Sequence, residues 1–173
     1  MTEEELIRRC SRNDRTAQQK LYEKYAPKMY GVCFRYVCHR EIAQDLLHDG
    51  FITVFSKIGD FRGEGSLEGW IRRIFVNTAL GYLRKKNVLQ IDALRQVEGT
   101  EASAVERMET AELLRCIGKL PDGYRAVLNL FAVEGYSHRE IAEMLGVSEG
   151  TSVSPLMIPS MRRLMTSLPL MKV

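Results

Sequence analysis

The chain is 173 residues long, enough for one large or two small domains, and its 45% apolar and 27% charged residues are ordinary for a water-soluble globular protein. Its net charge of +3 is compatible with DNA contact without demanding it, and no apolar run approaches the roughly 20 residues of a membrane span. The N-terminus Met1-Thr2-Glu3-Glu4-Glu5 is acidic, the opposite of a secretory leader, so a cytoplasmic protein with no membrane insertion is expected.

Helical periodicity dominates, and strand signals are nearly absent. The first amphipathic run covers residues 3–12. The second covers 17–37, with Leu21, Tyr25, Met29, Val32 and Tyr36 on one side, and Pro27 is expected to kink or interrupt it. A third, 41–58, carries Ile42, Leu46, Leu47, Phe51, Val54, Phe55 and Ile58. Glu41, Gln44, Asp45, His48 and Asp49 crowd its first half beside Phe51 and Phe55, which read as exposed. Such a surface suits a protein partner better than DNA, although acids near a helix N-terminus need no partner to account for them.

Residues 59–66 form a loop by composition, and Ser66 can cap a fourth helix, 67–86. On that helix Trp70, Ile71, Ile74, Phe75 and Leu83 give an apolar stripe, and Arg72, Arg73, Arg84, Lys85 and Lys86 supply cations. Asn77, Thr78 and Tyr82 add hydrogen-bonding and stacking groups. Cations neutralise phosphates and rings stack on unpaired bases, so this mixture suits melted or single-stranded DNA. An ordinary amphipathic helix with a solvated basic face is the alternative.

From about 88 to 107 the periodicity weakens and no core face is visible, as in a flexible linker. Helical patterning resumes at Thr110, breaks at Pro121-Asp122-Gly123 and resumes over 124–133. Ser137 can then cap a short helix with Glu140 three residues on, and Ile141, Ala142 and Leu145 share its apolar face. Gly146 supplies a left-handed stop, Val147 packs inward, and Ser148 can cap a further helix. This is the punctuation of a helix-turn-helix, whose second helix normally enters the major groove.

No catalytic constellation is present. His39, His48 and His138 stand in no metal or nucleophile spacing, and Gly63-Glu64-Gly65 is too short for a phosphate loop. In a cytoplasmic protein Cys10, Cys33, Cys38 and Cys116 are expected as reduced thiols, and Cys33 and Cys38 are poorly spaced for zinc. Neither an enzyme nor any metal or cofactor is expected.

Taken in order, these segments resemble the extracytoplasmic-function (ECF) sigma factors of bacterial RNA polymerase, within the sigma-70 family. The segment 43–51 (AQDLLHDGF) looks like the family's core-polymerase-binding segment. Phe61-Arg62-Gly63 with the segment 70–85 looks like its melting and minus-10 segment, and Leu120-Pro121-Asp122-Gly123-Tyr124-Arg125 with 135–151 looks like its minus-35 domain. The resemblance implies that Asp45, His48, Asp49 and Phe51 face the β′ clamp helices of core polymerase. It implies that Arg62, Trp70, Arg73, Asn77, Arg84 and Lys85 hold the minus-10 strand, with a flipped base taken up by the loop before the helix. It also implies that Arg139, Ser148, Glu149, Thr151, Ser152 and Arg162 meet minus-35 DNA. The implied partners are core RNA polymerase (β′ clamp helices and β flap), promoter DNA and a candidate anti-sigma factor.

The tail departs from the family pattern. Cations usual at the positions of Val153, Ile158 and Ser160 are missing. Pro155 lies beyond the first helical turn counted from Ser148, where proline costs roughly 3 kcal/mol, and Pro159 follows four residues later. The methionine-rich end could pack back on its own domain, occupy a partner's groove, or be the product of a frame error. The expected architecture is all-α, with two small helical domains at 1–87 and 110–173 joined by a flexible linker at 88–109. The rival readings are a helix-turn-helix repressor and a sigma-like regulator with impaired minus-35 binding.

Overall fold

The computed structural model describes residues 2–86, 117–147 and 150, and every regular element among them is helical. The chain divides into two compact units, Met1–Tyr82 and Leu83–Val173. The expected linker, the start of the helix at Thr110, Cys116, Ser148, Glu149 and everything beyond Gly150, including Pro155, Pro159 and the methionine-rich end, lie outside the described residues.

In the first unit, α1 (Glu3–Ser11) begins where the Thr2 hydroxyl accepts the Glu5 N–H at 3.2 Å, and it buries Leu6 and Cys10. A short turn follows in which Asp14 does two jobs. Its Oδ1 accepts the Ala17 N–H at 3.1 Å, capping α2 (Arg15–Val37), and its Oδ2 accepts from Arg9 Nε at 2.9 Å. The Ala17 bond, helped by Arg9, holds the Asp14 carboxyl below the usual carboxylate range.

The expected break at Pro27 does not occur, and α2 runs through it without interruption. Proline removes the bond to the carbonyl of residue 23, but Glu23 and Pro27 are both exposed, so water can take the place of the lost donor. The opposite face buries Leu21, Tyr25, Met29, Val32, Cys33 and Tyr36. The helix stops at Cys38, whose φ of 48° is left-handed and whose N–H reaches the Phe34 carbonyl at 2.8 Å.

α3 (Arg40–Lys57) packs along α2 and passes into a 3-10 turn at Ile58–Asp60. It buries Ala43, Leu46, Leu47, Gly50, Phe51 and Val54, a stripe at helical spacing. Gly50 sits directly under the Phe75 ring, and a methyl group added there would overlap that ring. Phe75 is itself fully buried, so it has no free space to retreat into. Gly50→Ala is therefore expected to destabilise this unit by about 1–3 kcal/mol through overpacking, readable as a lowered urea midpoint with an unchanged m-value.

α4 (Leu67–Lys85) opens as expected, with the Ser66 hydroxyl accepting the Gly69 N–H at 3.0 Å. Leu67, Ile71, Phe75, Val76, Ala79, Leu80 and Leu83 are its buried residues. Trp70 and Ile74, expected in that stripe, are only half-buried at its margin.

In the second unit, α5 (Asp122–Leu128) starts two residues earlier than the expected 124 and continues into a π-helical segment, Asn129–Val133. Only Pro121 breaks the chain. Asp122 is favourably placed in the first turn and pairs with Arg125 one turn on, which draws the Asp-Gly pair into the helix. α6 (His138–Leu145) carries the expected capping box, with Glu140 N–H on Ser137 Oγ at 3.3 Å and Ser137 N–H on Glu140 Oε2 at 2.8 Å. Ile141, Ala142 and Leu145 are buried, and Gly146 ends the helix at φ 70°. Val147 is half-buried and donates its N–H to the Ala142 carbonyl at 3.0 Å.

Candidate nucleic-acid interface

Two helix faces, one on α3 and one on α4, carry most of the candidate residues. On α3, positions 45, 48, 49 and 52 fall on one side of the helix. Asp45, His48 and Asp49 are exposed there as expected. His48 Nδ1 lies 3.1 Å from the Gln44 carbonyl, which can only accept, so a hydrogen bond there needs the proton on that nitrogen.

Phe51 is not on this face. It is 2% exposed, and its ring centroid lies 4.6 Å from that of Tyr22, 5.2 Å from Phe75 and 5.8 Å from Phe55. Position 51 stands four residues after Leu47 and three before Val54, which puts it on the core stripe. The apolar group that does face solvent is Ile52, 68% exposed, which sequence reasoning passed over because aliphatic residues are usually buried.

On α4, Trp70, Arg73, Asn77 and Arg84 recur at intervals of three, four and seven, so they line one face, with Lys85 beside it. Arg73, Asn77, Arg84 and Lys85 are exposed and Trp70 is half-buried. The Trp70 ring leans on Phe61, with centroids 5.5 Å apart, so the loop before the helix is joined to the same face. In that loop Arg62 is exposed between half-buried Phe61 and Gly63, whose φ is 75°. Thr78 does not contribute its donor to this face, because its hydroxyl donates to the Ile74 carbonyl at 2.9 Å. Lys28 anchors the helix start through a 2.7 Å contact with Glu68.

In the second unit, the Phe131 and His138 rings stack with centroids 4.6 Å apart and planes 12° from parallel, bracing the turn before α6. Arg139 is exposed on α6 and approaches Glu143 at 3.7 Å, an exposed pair of little energetic weight. Ser148, Glu149, Thr151, Ser152 and Arg162 lie outside the described residues. Cys10 and Cys33 are buried, and burial pushes the Cys33 thiol up to about 12, so it stays protonated and weakly nucleophilic at neutral pH.

The α4 face is basic and aromatic, and the second unit carries a capped helix with a left-handed glycine stop, the first half of a helix-turn-helix pattern. The family description Sigma-70 region 2 matches residues 21–88, and Sigma-70, region 4 matches residues 110–152. The ECF RNA polymerase sigma-E factor of Haemophilus influenzae is 31% identical over 166 residues, covering 87% of this chain and 87% of its own. The RNA polymerase sigma-H factor of Pseudomonas aeruginosa is 29% identical over 164 residues, covering 86% and 85%. In fold, the chain is similar to the sigma factor RpoE solved in complex with the anti-sigma factor NepR from Bartonella quintana, with a TM-score of 0.50 at 18% identity, covering 88% of this chain and 96% of that one. The chain belongs to the ECF sigma factors of the sigma-70 family.

Proposed function

We propose that this sigma factor binds core RNA polymerase through the exposed face of α3 and holds the melted minus-10 strand along α4. The C-terminal helix-turn-helix meets the minus-35 element. The division of labour follows the boundaries 1–87, 88–109 and 110–173. The observation that carries the reading is the face holding Trp70, Arg73, Asn77 and Arg84, where cations, an amide and a half-buried ring share one side of a helix. A repressor has no use for such a face outside its helix-turn-helix, whereas strand opening needs both phosphate neutralisation and a stacking platform.

Asp45, His48, Asp49 and Ile52 make an acidic patch around one apolar anchor, suited to a basic, partly apolar helical partner such as the β′ clamp helices. The β flap and an anti-sigma factor are further proposed partners, the latter because a relative of similar fold is held in complex with one. No helix among the described residues is long and apolar enough to cross a membrane. A cytoplasmic site of action follows from the partners proposed.

Run-off transcription with purified core polymerase, the full chain and a promoter library tests the reading. Promoter-dependent transcripts are expected. Binding to core without any transcript would favour a sigma-like regulator with impaired minus-35 contact, and failure to bind core would favour a repressor. On a responsive promoter, Arg73→Ala is expected to weaken open-complex formation and to lower the slope of log K against log salt by about 1, the signature of one lost phosphate contact. An unchanged slope would remove Arg73 from the strand path.

A further inference from the structure

α1 lies outside both matched family segments, the first of which begins at residue 21. Even so, it walls one side of an open cavity of about 450 Å³. Glu3, Glu4, Ile7 and Arg8 line it from α1, and Phe61, Arg62, Gly63 and Gly65 line it from the loop that precedes α4. Because Phe61 also packs on Trp70, the cavity adjoins the proposed strand-holding face. No side chain crowds the loop at this point: a Cβ placed on Gly63 or Gly65 would meet nothing within 4 Å.

These walls contain what an unstacked nucleotide requires. Phe61 and Ile7 offer apolar surface for a base, and Arg8 and Arg62 offer charge for its phosphate. The edge of the base must then meet a hydrogen-bonding group, and the Glu3 and Glu4 carboxylates are the side-chain acceptors among the lining residues. Glu3 is drawn toward Lys24, 3.8 Å away, whereas Glu4 is exposed and has no ion pair among the described residues. An ionised carboxylate only accepts, so it favours a base edge carrying an exocyclic amine and sets like charge against a carbonyl oxygen. Cytosine, adenine and guanine each carry such an amine. Thymine alone does not.

We infer that Glu4 is a specificity-determining residue of this cavity, selecting an unstacked minus-10 base with an exocyclic amine and rejecting thymine. The inference rests on the promoter-melting reading above. It adds to that reading a discriminating group from a helix the family models do not reach.

The test is run-off transcription by the holoenzyme, assembled from core polymerase and the full chain, on templates randomised across the minus-10 element. The wild type is expected to exclude thymine at one non-template position by about tenfold, and Glu4→Ala to admit thymine there while the base preferences at the other positions stay as they were. At that position, replacing the preferred base by its des-amino analogue (2-pyrimidinone, purine or hypoxanthine) should cost the wild type about the same factor and Glu4→Ala almost nothing. Identical base tables for wild type and Glu4→Ala would overturn the inference and leave the promoter reading standing. So would a uniform loss of transcript across all templates in Glu4→Ala, which marks a structural role. No enriched promoter with the wild type would overturn the promoter reading itself, and the inference with it.

Discussion

Phe51→Ala is expected to unfold the N-terminal unit, at a cost of about 3–5 kcal/mol, and to lose core polymerase binding only as a consequence. The ring is 2% exposed and lies against Tyr22, Phe55 and Phe75, so truncation opens a cavity in the middle of the packing between α2, α3 and α4. Aromatic pairs add about 0.5–1.5 kcal/mol beyond buried area, and this residue takes part in three. Its neighbour Ile52 supplies the contrast. At 68% exposure, Ile52→Ala should shift stability by less than about 0.5 kcal/mol. As an apolar anchor at an interface it should still cost more than about 1 kcal/mol of core affinity, close to a fivefold rise in Kd.

The sole tryptophan, Trp70, lies in this unit, so its fluorescence follows the unit's unfolding in urea without interference. Anisotropy of a labelled chain titrated with core polymerase reads the affinity. A Phe51→Ala chain of wild-type stability that fails to bind core would restore Phe51 to the docking surface. An Ile52→Ala chain that binds core normally would take Ile52 off it.

Where a structural signal is local, the sequence carries it. Ser137, Glu140 and Gly146 act on backbone groups within four residues of themselves, and all three stand as their residue types demand. Ser66 and the loop before α4 were legible for the same reason. Whatever depends on which side of a helix meets its neighbours was harder to read. Phe51 and Ile52 are adjacent, and only the spacing from Leu47 and Val54 separates the buried one from the exposed one.

Pro27 obeys its local rule, since it donates no bond, yet its exposure makes the loss tolerable and the helix continues. The hydroxyl of Thr78 could have faced DNA or its own helix, and composition does not decide between them. The strand-holding face was legible as a set of residue types. Its join to the loop through Phe61 and Trp70 is a tertiary contact that no spacing rule supplies.

Arg125 was the hardest of these to anticipate, and it yields the second large effect. A charged side chain is normally solvated, but this one is 3% exposed on α5. Its NH1 donates to the Gly118 carbonyl at 3.1 Å and to the Leu120 carbonyl at 3.2 Å, and its NH2 pairs with Asp122. The guanidinium thus satisfies two carbonyls from the segment before α5 while neutralising the acid in the helix's first turn. Its own carbonyl accepts from Asn129 Nδ2 at 3.0 Å, carrying the network to the start of the π-helical segment.

Breaking a fully buried pair typically costs about 3–5 kcal/mol, because a charge is left without compensation. The Asp122 side chain is 33% exposed and can recover water, so Arg125→Met should fall at the low end, near 3 kcal/mol. Asp122→Asn should cost about as much, since it leaves the buried guanidinium without a counter-charge, softened by the two carbonyls that still accept from it. The double variant should cost less than the sum of the two singles, because both remove the same pair.

Hydrogen exchange locates the effect. Arg125→Met should strip protection from the amides of α6, including Ile141 and Leu145, while the Trp70 fluorescence transition keeps its midpoint. Full protection of α6 in that variant would mean that the buried arginine fills space without holding the helix-turn-helix together. Strictly additive costs in the double variant would mean that Asp122 and Arg125 act separately.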